Sequence, residues 1–429
     1  MRQNPAPRAA ILGGSRAVTV ESAPANRWPI LTEEDEAAVL SVLRDGELSL
    51  HPVTEQLEAD YRALFGVRHA LAHCNGTAAL LAAFFALGLQ PGDEVLAPSA
   101  THWASVVPMM WLGALPVFCE SEVEQLGLDP EDAERKVTER TRAMVIVHLW
   151  GMPSKVDELV AVARRHGLKI VEDASHAHGA RWQGRWCGTL GDIGVFSLQS
   201  SKLAPAGEGG ILLTNDDGYF ERAVCLGDIA RILALEGPSR RFAGTSFGMK
   251  TRMAPLSAAV GRVQLRHLLD RNAQRTANLR YLSEQLEALG MNTFLPPVGI
   301  ERVYFEFIVH YDAARWGLPV ELLVEALQHE GCDVAAPRYP LLHQQPLFTE
   351  GRYQEITRLE GLPSVTLPTY RADALPMTEA ANHELLRLPS FPTAGRRILD
   401  EYALAFRKVL SQAKDIRAAA GTRAPGLVR

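Results

Sequence analysis

Between residues 69 and 214 the chain repeats one pattern: a short apolar run, a turn, then a helix-forming stretch. HALAHC precedes TAALLAAFFALGL, and EVLAPSA precedes a helical stretch near 105–112. LPVFCE and RAMVIVHLW follow, then KVDELVAVARRHG with helical period, and LKIVEDAS, DIGVFSLQ and GGILLTN complete the series. Apolar strands that alternate with helices specify a parallel sheet covered on both faces, because parallel strands need crossover connections rather than tight hairpins. The expected fold class is therefore α/β, with a mainly parallel sheet.

The flanks extend this plan. Thr32-Glu33-Glu34-Asp35 forms a helix-start pattern, with Gly46 ending that helix, and an amphipathic helix over 53–65 stops at Gly66. Beyond about residue 269 the character changes to a long polar helix at 270–289, a strand in VYFEFIVHYD, a helix in ELLVEALQHEG and a closing helix in ILDEYALAFRKVL. The expected division is an N-terminal arm over 1–30, a large α/β domain over 31–269, a smaller C-terminal α+β domain over 270–414 and a frayed tail over 415–429. At 429 residues the chain suits two domains.

Composition narrows the function. Lys plus Arg number 44 against 50 Asp plus Glu, a net charge of −6, which argues against an electrostatic grip on nucleic acid. The longest apolar runs, 78–89 and 106–118, fall short of the ~20 residues of a membrane span. The start, MRQNPAPRAAILGG, has no signal-type apolar stretch, and the five cysteines show no CxxC or zinc spacing. A cytoplasmic protein with reduced thiols is expected.

Several motif matches are weak. Gly244-Thr245-Ser246-Phe247-Gly248 fits GxSxG, but no buried strand precedes it. His176, His178 and Cys187 have only a loose metal-like spacing, so no metal is expected. A stronger constellation lies at the ends of the sheet strands, where open α/β sheets bind ligands. Asn75-Gly76-Thr77 opens a helix, and its free N–H groups and the Thr77 hydroxyl suit a phosphate; taken alone it is an ordinary helix cap. Glu172-Asp173 ends the strand LKIV.

Only seven of the 44 basic residues are lysines. Lys136, Lys155, Lys408 and Lys414 sit in polar helical contexts and Lys169 precedes a buried strand, whereas Lys202 and Lys250 lie among small residues between buried elements. A lysine so placed is a candidate imine-forming nucleophile. Phosphate cup, carboxylate and lysine together are what pyridoxal phosphate requires: a covalent anchor and a partner for the ring nitrogen.

These residues carry a resemblance to the DegT/StrS family of sugar aminotransferases, fold-type I pyridoxal-phosphate enzymes, over about residues 11–410. The matching stretches include NGTAALLAAFFALGLQPGDEVLAPSATHWAS, VEDASHAHGA, GDIGVFSLQSSKLAPAGEGGILLTND and GMKTRMAPLSAAVGRVQL. ILGG, Gln199 and PRYPLLHQQPLF look most like members that aminate keto-inositols in aminocyclitol antibiotic pathways. The resemblance implies Lys202 as the internal-aldimine lysine and proton carrier, and Asp173 as partner of the pyridine nitrogen. It implies Gly76, Thr77 and Ser197 at the phosphate, His102 stacked on the cofactor face and His176 near the ring hydroxyl. Where the family commonly has GxNxRM, this chain has Gly248-Met249-Lys250-Thr251-Arg252-Met253. The resemblance implies a homodimer with active sites at the interface, where Lys250 either replaces an asparagine that reaches the neighbouring subunit's phosphate or is a solvated lysine with the phosphate served by other groups.

A lysine at 202 favours transamination over the dehydration that relatives with histidine perform. The implied reaction moves an amino group from L-glutamine or L-glutamate to a keto-sugar, keto-cyclitol or related ketone. A non-transaminating dehydratase or eliminase, and a non-catalytic binding homologue, are the alternative readings. Arg231, Arg241, Arg252 and Arg338 are unranked candidates for a substrate anion, and Trp103, Trp150 and Trp186 are candidates for the pocket wall.

Overall fold

The computed structural model describes residues 7–359 and 367–421. Seven strands form the central sheet: β1 (His69–His73), β2 (Glu94–Pro98), β3 (Leu115–Cys119), β4 (Thr141–Val147), β5 (Lys169–Asp173), β6 (Ile193–Ser197) and β7 (Gly210–Thr214). Their order is β1-β7-β6-β5-β4-β2-β3. Six strands run parallel, and β7 alone is antiparallel to both its neighbours, with Ala70 opposite Leu213 and Val195 opposite Leu212. The strands are buried almost throughout, which explains their continuous rather than alternating apolar character. The order steps outward from β5 in opposite chain directions, so the carboxyl ends of the strands open a crevice there.

Helices cover both faces. α1 (Glu33–Asp45) begins with a capping box between Thr32 and Asp35 and ends at Gly46, as its sequence predicts. α2 (Val53–Phe65) ends at Gly66, φ 67°. α3 (Gly76–Leu87) packs its Ala- and Leu-rich surface under the sheet, with Ala79, Ala82, Ala83 and Phe84 fully buried. The helical stretch expected near 105–112 is instead a 3₁₀ turn, Trp103–Ser105, followed by one short helical segment, Val107–Met110. Pro108 and Gly113 leave no room for more.

A second core lies around α4 (Leu268–Glu287), the antiparallel pair β8 (Phe307–His310) and β9 (Leu385–Leu388), and α5 (Arg396–Ser411). It is the smaller α+β unit of the fold. Ala9, Ala17, Val18 and Ala25 from the N-terminal segment are buried in it. Lys408 departs from its expected place on a solvated face: it is 1% exposed, 2.7 Å from Glu330 Oε2, and donates to the Ser15 carbonyl at 2.7 Å. Glu330 in turn accepts the backbone N–H groups of Ala10 and Ala17, so the buried pair ties the N-terminal segment to this core. The tail read as frayed from residue 415 is helical over Ala413–Gly421, with Ile416 buried; residues 422–429 lie outside the described residues. No helix among the described residues is long and apolar enough to cross a membrane.

Candidate active site

At the carboxyl ends of β4, β5 and β6 lies a cavity of about 480 Å³, and Gly76, Thr77, His102, Asp173, His176, Ser197 and Lys202 all line it. These residues span 126 positions of chain between Gly76 and Lys202 and meet because the parallel strands deliver their ends to one edge.

The floor is built by close approach. Asn75 caps α3 by accepting the Ala78 N–H at 2.8 Å. Among the described residues no acceptor meets the N–H groups of Gly76 and Thr77, which leaves them for an anion at the helix N-terminus. A side chain at 76 is excluded, since a Cβ there would lie 2.7 Å from Ser197 Cβ and 3.1 Å from Ser197 Cα. Gly210 serves the same packing from β7, where a Cβ would stand 2.4 Å from the Asn75 carbonyl. The two glycines press the turn onto β6 and β7, with Ser197 against Gly76 and Thr77 also lining the cavity.

The two carboxylates at the end of β5 have separate jobs. Glu172 is fully buried and accepts from His148 Nε2 at 2.9 Å, from Gly188 N–H at 2.8 Å, from Gly191 N–H at 2.5 Å and from Leu190 N–H. It fixes the loop after the strand and faces away from the cavity. Asp173 lines the cavity, oriented by the Ser105 hydroxyl at 2.7 Å and the Ser175 N–H at 3.1 Å. Each of these donors takes one oxygen, so the carboxylate keeps acceptor capacity for a ligand.

Lys202 follows β6 in a turn closed by its own N–H on the Gln199 carbonyl at 2.8 Å. Its carbonyl accepts the Trp28 indole N–H at 3.0 Å. The ammonium rests 4.3 Å from the centre of the Phe305 ring. Burial pushes its pKa down to about 8; the Asp173 and Glu306 carboxylates work against this and the Arg338 guanidinium adds to it. Roughly a tenth is therefore the free amine at pH ~7, the form that attacks a carbonyl.

Two histidines flank the lysine. His102 is held below its ordinary pKa by burial and by the Lys202 charge, opposed by Asp173. Its ring stands edge-on to Tyr339, 5.5 Å between centres. His176 is lowered much further, again by burial first and then by Lys202. The Trp150 N–H donates to its Nδ1 at 3.2 Å, so the neutral ring carries its proton on Nε2, facing the Tyr339 hydroxyl at 3.3 Å. Its ring stacks on Phe305 at 4.0 Å. His178 points elsewhere, to Tyr61 at 3.2 Å, so the HxH pair does not converge. Among the described residues no cluster of His, Cys, Asp and Glu is arranged for a metal.

Lys250 is exposed and does not line this cavity. Its neighbour Thr251 accepts the Cys74 N–H at 2.6 Å, so the segment runs alongside the phosphate-type turn with the lysine turned outward. The GxSxG match at 244–248 lies in a largely exposed turn.

The structure ranks the arginines that the sequence does not. Arg231 pairs with buried Glu58 at 2.6 Å and with Asp228 at 3.4 Å, Arg241 lies over Phe242, and Arg252, paired through its backbone with His73 at the end of β1, does not line this cavity. Arg338 lines the cavity. Of the tryptophans, Trp150 is buried core, Trp186 packs on Phe65 and Arg181, and Trp103 is half exposed beside His102.

The sequence does not single out Ser105, Phe305, Glu306 or Tyr339 as site residues, although Ser105 and Tyr339 fall within stretches that carry the resemblance. Phe305 and Glu306 reach the site because Val303 and Phe305 N–H groups bond the Gly151 and Trp150 carbonyls at 3.0 and 3.2 Å. The segment carrying Arg338 and Tyr339 is anchored just beyond, where Leu342 N–H meets the Ser99 carbonyl and His343 Nδ1 lies 2.7 Å from the Ser99 hydroxyl. PRYPLLHQQPLF marks the second segment only as a likeness, and nothing local in either segment says that it reaches the cavity.

A mainly parallel seven-stranded sheet, with a lysine, an aspartate and a free helix N-terminus at its carboxyl edge, defines a fold-type I aminotransferase. The chain belongs to the DegT/DnrJ/EryC1/StrS aminotransferase family, whose sequence pattern matches residues 29–399. It is 34% identical over 349 residues, 79% of this chain and 82% of the relative, to a Micromonospora echinospora protein provisionally named L-glutamine:3-amino-2,3-dideoxy-scyllo-inosose aminotransferase. Among solved structures it resembles an aminotransferase from Psychrobacter cryohalolentis, with TM-score 0.80 and 26% identity over 90% of this chain and 99% of that one. It also resembles DesI, solved with its TDP-sugar product, with TM-score 0.78 and 29% identity over 96% and 99% of the two chains.

Proposed function

We propose that this aminotransferase uses pyridoxal phosphate to move an amino group from L-glutamine or L-glutamate to a keto-cyclitol, keto-sugar or related ketone. The observation that carries the reading is Lys202 in one cavity with the Asp173 carboxylate and the free N–H groups of Gly76 and Thr77.

The residues present fit that cofactor. The glycine-floored turn, with the Thr77 and Ser197 hydroxyls, accepts a phosphate-sized anion, and the Cβ clash at 76 is the mark of a cradle shaped by backbone. Asp173, oriented by Ser105 and Ser175, accepts a proton-bearing ring nitrogen and keeps it charged. His102 offers a flat ring for stacking, and His176 with Tyr339 supplies hydrogen-bonding groups at the side of the cavity. Bound there, the cofactor supplies a reactive carbonyl and an electron-accepting ring.

Lys202 does two things in this reading. Its free amine is the nucleophile that anchors the cofactor, and once displaced by an amino donor its Nζ carries the proton to and from the carbon bearing the amino group. The stacked wall of Phe305, His176 and Tyr339 excludes water from that proton path. Lys250, exposed on its own chain, is read as a phosphate contact to the neighbouring subunit of a cytoplasmic homodimer. The inosose in the name of the Micromonospora relative supports a cyclitol ketone as acceptor, and its L-glutamine supports that donor.

The test is to charge the loaded enzyme with L-glutamine, remove the donor, and offer a panel of keto-cyclitols and nucleotide-linked keto-sugars. Mass spectrometry should find the matching amine from at least one cyclitol ketone. An enzyme that aminates none of the panel, or that releases a dehydrated product instead, contradicts the reading.

A further inference from the structure

We infer that Arg338, aimed by Glu306, is the residue that takes the α-carboxylate of the amino donor. This rests on the aminotransferase reading above and names the part of the site that recognises the donor.

Arg338 lines the same cavity as Lys202, and its Nε and Nη2 both lie 2.6 Å from Glu306 Oε1. Arg387 approaches that same oxygen at 3.9 Å. Two guanidinium groups thus share one carboxylate, and this wall carries one positive charge in excess. The other carboxylates of the cavity do not cancel it, because Asp173 serves the ring nitrogen in the reading above and Glu208 is exposed on the rim. His102 and His176 are neutral there. An anionic group on the ligand completes the balance.

Geometry agrees. A guanidinium offers five N–H donors in a planar fork. Glu306 engages the side formed by Nε and Nη2, which leaves the end formed by Nη1 and Nη2 for a second planar acceptor. Glu306 is itself 5% exposed, and among the described residues its Oε2 has no hydrogen-bond partner. A buried carboxylate kept at that desolvation cost is explained by its hold on Arg338. It is a positioning residue, acting through the arginine.

A keto-cyclitol has no carboxylate, so the two substrates of one cavity differ in the group Arg338 selects. Arg338→Gln should therefore injure donor binding and spare acceptor binding. The direct probe is a matched pair: L-glutamine, and 4-aminobutanamide, which is glutamine without its α-carboxylate. Dissociation constants for both are measured by calorimetry on the pyridoxal-phosphate-loaded protein. Wild type should prefer glutamine. Arg338→Gln should weaken glutamine by roughly tenfold to a hundredfold, the worth of a charge-assisted hydrogen bond, and leave the analogue within about threefold. Arg338→Lys keeps the charge without the fork and should fall between. Glu306→Ala should lose the preference as Arg338→Gln does, and Glu306→Gln, which still accepts from the arginine, should restore part of it. A wild type that does not prefer glutamine, or an Arg338→Gln protein weakened equally for both amines, overturns the assignment. Failure of the cofactor reading itself would appear separately, as a wild-type protein with no Lys202-dependent absorption band.

Discussion

Lys202 can be tested before any acceptor is known, through the charge on its amine. Burial lowers it to about 8, against an ordinary lysine value of 10.5. At pH ~7.5 an ordinary lysine is uncharged in about one molecule in a thousand, whereas one titrating near 8 is uncharged in roughly a quarter, a difference of about two hundredfold in available nucleophile. The assay is the rate at which apoprotein reacts with pyridoxal, which lacks the phosphate, followed by absorbance across pH with the Lys202→Ala rate subtracted. The expected midpoint is near 8. Because Asp173 raises the value and Arg338 lowers it, Asp173→Asn should move the midpoint down and Arg338→Gln should move it up. The sign also reaches stability. A lysine whose folded pKa is depressed penalises the folded apoprotein below that pKa, and the penalty fades as pH rises from about 8 toward 10.5. A midpoint at 10 or above, or the two variants moving in the opposite order, would refute the electrostatic account of this side chain.

Three further outcomes follow from the packing. Lys408→Met leaves Glu330 buried without its cation and should cost about 3–5 kcal/mol in urea unfolding, with part regained in Lys408→Met/Glu330→Gln; a loss under about 1 kcal/mol would show that the pair does not hold the N-terminal segment. Gly76→Ala drives a Cβ into Ser197 and should cost about 1–3 kcal/mol of stability. It should also weaken pyridoxal phosphate far more than pyridoxal in equilibrium dialysis, and equal weakening would remove the phosphate from that turn. Trp28→Phe deprives the Lys202 carbonyl of its 3.0 Å donor; kcat should fall with donor KM little changed, whereas an unchanged kcat would make the indole contact incidental to catalysis.

What could be read from the chain follows from where each signal is local. Buried parallel strands must be apolar on both faces, so the strands of the sheet announce themselves as short continuous runs, and Gly46 and Gly66 mark helix ends by their left-handed φ. The reversed direction of β7 was not legible from GGILLTN itself. Direction is decided by the connection, and 198–209 contains no helix to cross over the sheet. Within the site, Gly76, Asp173 and Lys202 each sit at the end of a recognisable strand or the start of a helix. Arg338, Tyr339, Phe305 and Glu306 come from irregular segments placed by long-range contacts to Ser99 and to 150–151, so even Arg338, a candidate in the sequence, could not be ranked there. Lys408 misled for a related reason: its helix looks polar around it, and the partner that buries it is 78 residues away.

The claim on which all of this turns is that Lys202 anchors pyridoxal phosphate and yields it to an amino donor. The most direct measurement is the visible absorption spectrum of the reconstituted protein, wild type and Lys202→Ala, before and after L-glutamine or L-glutamate, with borohydride reduction and peptide mapping to locate the attached cofactor. The account predicts a band present only with Lys202, a borohydride-fixed adduct on that residue, and loss of the band when the donor is added. A band that survives in Lys202→Ala, an adduct on another lysine, or a band that neither donor discharges would contradict it.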